Sequence, residues 1–242
     1  MQTANPLKTI PTGIPSLDEF LNGGINSQQI THIYGLGASG KTTLILQIAA
    51  TLAVKGMKVL YIDTQRQFSI DRLEQMIPKG FREASHHIII FRPESFYEQS
   101  NTIDQLEAFI TSNVELIIVD SITGLYRREL KSRDQVILYN QELNRQVAQL
   151  LALSHHHNIP VLLSNEVTKK PDNPELQPAA RNILDYWART TIHLAFTQPP
   201  KTGHRTLKVS HQGKQETFNF KIQDQGIVLL STDEEETPHK TD

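Results

Sequence analysis

The segment Gly35-Leu36-Gly37-Ala38-Ser39-Gly40-Lys41-Thr42 follows the pattern G-x-x-x-x-G-K-[ST], an arrangement that cradles phosphate groups. Glycines let the backbone curl until successive N–H groups point inward, and the start of a helix adds further donors. In such a loop Lys41 neutralises the β- and γ-phosphates of ATP, and the Thr42 hydroxyl ligates Mg2+. Thr43, next in the helix, is expected to contact phosphate as well. A Gly-rich turn with an exposed lysine is the plainer alternative. The strand-like run Ile30–Tyr34 before the motif and the helix-like Thr42–Val54 after it favour phosphate binding. The second part of the expected site is Glu115-Leu116-Ile117-Ile118-Val119-Asp120-Ser121. A run of apolar residues delivers Asp120 to the C-terminal end of a buried strand, the edge at which open α/β sheets bind ligands. Asp120 is therefore expected to hold Mg2+ through water, the alternative being an Asp that merely starts a turn.

Those residues need a scaffold, and the sequence supplies alternating elements. Strands are predicted at Ile30–Tyr34, Lys58–Asp63, His87–Phe91, Glu115–Val119 and Ile159–Ser164. Helices are predicted at Thr42–Val54, Ile70–Ile77, Asn101–Ser112 and Asp134–His156. The last of these carries Val136, Leu143, Val147, Leu150 and Leu151 on one apolar stripe. Alternation of this kind predicts an α/β fold, a mostly parallel twisted sheet with helices on both faces. Thr190–Phe196, Arg205–His211, Gln215–Ile222 and Gly226–Leu230 are predicted as antiparallel C-terminal strands, turning at Gln212-Gly213 and Gln225-Gly226. Lys169–Gln177 and the tail Ser231–Asp242 read as unstructured; the tail has five acids against Lys240, a net of −4. The expected organisation is an extension at 1–9, a core at 10–230 and an acidic tail at 231–242.

At 242 residues the chain is long enough for one large domain with a well-buried core. A formal net charge of −2 gives no bulk attraction to nucleic acid or anionic lipid, so any basic surface is local. The absence of cysteine excludes disulfides and thiolate metal sites. The apolar runs are too short to span a bilayer, and a cytoplasmic location with no membrane partner is the expectation.

Four stretches carry a family resemblance. Thr12-Gly13-Ile14-Pro15-Ser16-Leu17-Asp18-Glu19-Phe20-Leu21 followed by Gly23-Gly24-Ile25 resembles the segment that leads into RecA-type recombinase cores. Tyr61-Ile62-Asp63-Thr64 resembles the strand after the phosphate-loop helix of archaeal RadA. Asp120-Ser121-Ile122-Thr123-Gly124-Leu125-Tyr126-Arg127-Arg128-Glu129 resembles the Walker B strand end and its loop, and Leu163-Ser164-Asn165-Glu166-Val167 the strand into the second DNA-facing loop. The resemblance spans residues 10–230 and implies a RecA-like P-loop NTPase core. With about ten residues ahead of that core, the chain is expected to lack the N-terminal helical domain and the Phe-x-x-Ala linker of RadA. It is in that respect similar to the short RadB paralogues. That resemblance implies ATP and DNA binding, association with the RadA recombinase, a role in recombinational repair, very weak ATP hydrolysis and no strand exchange.

Two positions depart from the RadA-like pattern. Gln65 stands where a glutamate polarises the attacking water; an amide can orient water but cannot accept its proton. Glu166 stands where a glutamine senses the γ-phosphate, and a carboxylate there must be protonated or paired. Lys41, Gln65 and Glu166 are thus the candidate catalytic set, with exchange of roles between the last two set against independent drift. Arg72 falls where the resemblance places an arginine near the adenine. The candidate DNA contacts, mainly to phosphates of single strands, are Arg127 and Arg128 after Asp120, and Lys169, Lys170 and Arg181 after Val167. Lys201, Arg205 and Lys208 belong to a late basic stretch, 201–221, with five cations against Glu216 and a net of +4. Alternating residues of a strand share a face, so some of these can form a stripe. A solvated strand surface is the simpler reading for any single lysine.

Consecutive residues on a helix point in different directions, so His155-His156-His157 reads as a helix C-terminus favourable to cationic side chains rather than a shared metal site. Trp187 reads as core or interface packing, with base stacking as the lesser alternative. The residues leave two other functions open: a single-domain relative of the KaiC clock protein that signals without DNA, and a small-molecule P-loop kinase. Self-association is a further possibility under the first reading.

Overall fold

A computed structural model of the chain describes residues 7–130, 132–170, 173–178, 180–197 and 203–230. The chain opens with β1 (Thr9–Ile10), α1 (Pro15–Phe20) and β2 (Ile25–Asn26), after which β3 (Ile30–Gly35) runs into α2 (Lys41–Ala53). Next come β4 (Lys58–Asp63), α3 (Ile70–Met76), α4 (Phe81–Ser85), β5 (Ile88–Phe91), α5 (Phe96–Gln105) and a 3-10 turn at Leu106–Phe109. β6 (Val114–Asp120), α6 (Gly124–Glu129), α7 (Arg133–His157), β7 (Val161–Lys170), β8 (Asn173–Pro178) and α8 (Arg181–Trp187) follow. β9 (Ala188–Phe196), β10 (Arg205–His211), β11 (Lys214–Gln223) and β12 (Gly226–Leu229) complete the chain.

One sheet runs in the order β12-β11-β10-β9-β3-β7-β6-β4-β5. From β9 to β5 the neighbours are parallel, and β10 to β12 add on antiparallel. Strand alternation splits the core into two layers. Ile33, Val59, Tyr61, Leu116 and Ile118 face α2 and α3, while Leu60, Ile62, Ile117 and Val119 face α5 and α7. Both faces are covered, which is why these strands read as continuous apolar runs rather than alternating ones. Every residue of β6 is buried. On α7 the expected stripe holds for Leu143, Val147 and Leu150, with Leu153 as a fourth buried member.

Some expectations need correction. The stretch Lys169–Gln177 is not structureless: β7 extends to Lys170, and β8 folds back on it antiparallel, with Leu176 opposite Lys169. The helix expected at Asn101–Ser112 begins earlier, at Phe96, where the Ser95 hydroxyl accepts the Glu98 N–H, and gives way to the 3-10 turn. The tail 231–242 and Lys201 lie outside the described residues. Among the described residues no helix is long and apolar enough to cross a membrane.

Candidate functional site

The phosphate loop joins β3 to α2, and its tightest constraint is at Gly35. A Cβ there would sit 2.1 Å from the Leu194 carbonyl oxygen of β9, so no larger residue fits without moving backbone. Gly40, at φ +109°, makes the turn into α2. Gly37, Ala38, Gly40, Lys41, Thr42 and Thr43 line a cavity of about 200 Å3 together with Gln67, Glu166 and Ile222. A larger cavity, about 720 Å3, lies behind α2 against α1 and β12 and contains none of the loop residues. The Ser39 hydroxyl is buried in the loop with no partner among the described residues. Lys41 folds back, its ammonium donating to the carbonyls of Gly35 (3.0 Å) and Leu36 (2.8 Å). Burial pushes that ammonium's pKa down, and the Glu166 and Asp120 carboxylates push it back up.

Asp120 stands at the C-terminal end of β6, with a cis peptide to Ser121, and is 3% exposed. It accepts hydrogen bonds from Thr42 (3.0 Å), Tyr61 (2.8 Å) and Ser164. Burial raises its pKa, and the three hydroxyls pull it down. Among the described residues no cation pairs with it. A buried carboxylate satisfied by neutral donors, in contact with the phosphate-loop threonine, is a donor set that suits a hard divalent cation such as Mg2+. Tyr61 and Ser164 are members the sequence reading missed. The signal was available: Asp63 and Asp120 are register partners, which puts Tyr61, two residues before Asp63, on the same side of the sheet.

The turn after β4 sends Gln65 and Gln67 in different directions. Asp63 is buried and accepts the N–H groups of Gln67 (2.9 Å) and Phe68 (3.3 Å), while Arg66 takes a left-handed φ of +55°. The reversal turns Gln65 toward Gly124, where a Cβ on that glycine would meet Gln65 Cγ at 2.9 Å. Gln67, not Gln65, faces the phosphate loop, its side-chain oxygen 3.4 Å from the Thr42 hydroxyl.

Glu166 is the register partner of Gly35 across β3 and β7, which seats it beside the loop. Its carboxylate pairs with Arg127 of α6 at 3.1 Å. The segment after Asp120 is tied to the same strand: Ile122 N–H donates to the Ser164 carbonyl (3.1 Å), and the Thr123 hydroxyl donates to the Asn165 side chain. The Thr64 hydroxyl closes the other side, donating to the Ser121 carbonyl at 2.7 Å. The ends of β4, β6 and β7 thus form one hydrogen-bonded unit around the loop.

The expected DNA contacts do not all converge. Arg127 is engaged with Glu166, and Arg128 donates to the Glu94 carbonyl. Lys169 and Lys170 lie at the end of β7, in the ladder with β8. Arg205 and Lys208 sit three apart on β10 and so point to opposite faces. Arg205 lies on the face of buried Leu207 and Val209, its guanidinium 5.4 Å from the Phe196 ring centroid. Lys208 is on the opposite face, where it lines a cavity of about 430 Å3 with Arg181, Asp185, His193, Ser210 and Gln215. Arg181 pairs with Asp185 at 2.9 Å. Arg72 is also engaged elsewhere, donating to the Asp224 carbonyl at 3.0 Å and to that of Gln223. Trp187 packs as expected, its indole N–H donating to Asn144 at 2.8 Å.

Comparisons with known proteins agree with this architecture. The Rad51 family model matches residues 4–229. The DNA repair and recombination protein RadB of Methanococcoides burtonii is 37% identical over 214 residues, spanning 87% of this chain and 93% of its own length. RadB of Thermococcus kodakarensis is 38% identical over 224 residues, spanning 90% of this chain and 98% of its own length. A crystal structure of the RadB recombinase superposes with a TM-score of 0.76 at 36% identity, covering 90% of this chain and 98% of that one. A match running almost end to end in both sequence and structure leaves one conclusion: the chain belongs to the Rad51 family, in its RadB branch.

Proposed function

We propose that this chain is an ATP-binding accessory protein of homologous recombination and DNA repair, which binds DNA and modulates the RadA recombinase without promoting strand exchange. One observation carries the nucleotide part: Thr42 of the phosphate loop touches Asp120 at 3.0 Å, beside a turn that offers amides rather than a carboxylate. Lys41 would leave the Gly35 and Leu36 carbonyls to meet phosphate oxygens, which are stronger acceptors. Mg2+, when bound, would be held by the Thr42 hydroxyl and the Asp120 carboxylate and would neutralise phosphate charge. Gln67, the amide that faces the loop, can orient a water but takes no proton from it, so hydrolysis is very weak. Glu166 carries the charge a general base needs, yet Arg127 already offsets that charge, which suits sensing better than proton abstraction.

The site is therefore better suited to switching than to turnover. Glu166 lies between the phosphate loop and α6, so phosphate arriving at Lys41 changes the electrostatic balance of the Arg127–Glu166 pair. That change is passed to the segment after Asp120, which is candidate DNA-facing chain. Lys208 and Arg181, with Lys169 and Lys170, would contact phosphates without reading bases. A mobility-shift titration with single-stranded DNA, with and without MgATP, tests the DNA part; no shift near physiological salt would contradict it. Co-purification of RadA with this chain tests the partner. Self-association belongs to the same reading and is tested by sedimentation with and without MgATP.

A further inference from the structure

The edge of the sheet opposite the phosphate loop carries a second constellation. The 3-10 turn Leu106–Phe109 leads into β6 and the end of α7 leads into β7, and β6 and β7 are neighbours in the sheet. Both connections therefore converge at the N-terminal ends of adjacent parallel strands. The convergence brings Glu107 of the turn against His156 and His157 of α7, with one ligand atom from each residue all within 4.8 Å of one another. Helical periodicity alone separates consecutive side chains, but at the last turn of α7 the two rings meet edge to face, 4.6 Å between centroids.

We propose that Glu107, His156 and His157 form a binding site for a divalent first-row transition ion of the Zn2+ kind. Two imidazoles and a carboxylate, with no thiolate, are the ligand set that such ions accept. Tetrahedral bonds of ~2.0–2.1 Å put donor atoms ~3.3 Å apart. The His157 Nε2 to Glu107 Oε1 distance is already 3.3 Å. His156 is exposed, so a rotamer change can bring its ring nitrogen in from the remaining distance. The negative end of the α7 dipole, with Asn158 in the left-handed conformation closing the helix, adds attraction for a cation. Three protein ligands leave a position open for water. The bound ion would pin the end of α7 to the turn before β6. It would do so without touching the nucleotide site, which lies at the other edge of the sheet.

The full chain, prepared without an affinity tag and stripped with a chelator, is titrated with Zn2+ by calorimetry at neutral pH, and with Co2+ by visible absorption. The expected result is one saturable Zn2+ site and a tetrahedral-type Co2+ band. Glu107→Gln and His157→Ala each weaken Zn2+ binding by ~10-fold or more, the lower end of what even an outer-shell loss costs. His155→Ala leaves it unchanged. Glu107 is solvent-exposed, so Glu107→Gln keeps the fold and the test stands even if a histidine variant does not. Absence of Zn2+ binding in the parent chain, or equal binding in Glu107→Gln and the parent, overturns the proposal.

Discussion

Arg127→Ala exposes the link between the nucleotide site and the chain after Asp120. The Arg127 and Glu166 side chains are 37% and 28% exposed and 3.1 Å apart, so the pair is partly screened by water. Pairs of that kind contribute ~1 kcal/mol at most. Removing the guanidinium leaves the Glu166 carboxylate facing the phosphate loop uncompensated. MgATP affinity is then expected to fall by ~5-fold, the equivalent of ~1 kcal/mol. Glu166→Gln removes the charge that needs compensating, so in that background Arg127→Ala has almost no effect on MgATP affinity. Calorimetric titration of MgATP into the four proteins of this double-mutant cycle reads the coupling directly. An Arg127→Ala loss of the same size in both backgrounds would refute the idea that Arg127 acts through Glu166. So would no loss in the parent background.

Three further outcomes follow from particular contacts. Gly35→Ala places a Cβ 2.1 Å from the Leu194 carbonyl, and the overpacking costs ~1–3 kcal/mol, read as a lower midpoint in urea; an unchanged midpoint contradicts the close approach. His32 is fully buried with both ring nitrogens unpartnered among the described residues, and burial lowers its pKa from 6.5 to about 3. The unfolded chain gains this proton as pH falls through 6.5 while the folded chain stays neutral until about 3. Stability present above pH 6.5 is therefore lost across that window, by ~2 kcal/mol at pH 5 from this group alone. His32→Leu should flatten the loss between pH 7 and 5, and urea curves with the same pH dependence as the parent would contradict the neutral buried ring. For DNA, Arg181→Ala with Lys208→Ala should reduce the slope of log affinity against log salt by ~1.4 for single strands, and Arg205→Ala should not. The opposite ranking would place DNA on the other face of β10.

The parts of this molecule most legible in the sequence are those fixed by strong local rules. The phosphate loop and the buried parallel strands carry strong patterns, because their backbone or burial demands few residue types, and Asp120 is read from its place at the end of such a strand. The short helices α1, α4, α6 and α8 have seven residues or fewer, so little of a helical period registers, and none has a proline just past its end as α3 has in Pro78. β8 was hidden because Asn173–Pro178 has no strand composition; its pairing comes from folding back on β7. The place of Gln67 is not legible in the sequence because linear spacing does not reveal the left-handed turn at Arg66, which swings residue 67 toward Thr42. Arg205 and Lys208 looked like one patch in sequence, yet their odd spacing on β10 divides them between two faces. The proximity of Glu107 to His156 and His157 is not legible in the sequence, since Glu107 comes from a turn 49 residues earlier than His156.

Under the proposed function the phosphate loop binds nucleotide but barely turns it over. The most direct test is to measure MgATP binding and steady-state hydrolysis on the same preparation, alone and with single-stranded DNA. The expected result is saturable MgATP binding, abolished by Lys41→Ala, with turnover far below that of a DNA-stimulated recombinase. Absence of MgATP binding, or hydrolysis as fast as such a recombinase, would contradict it.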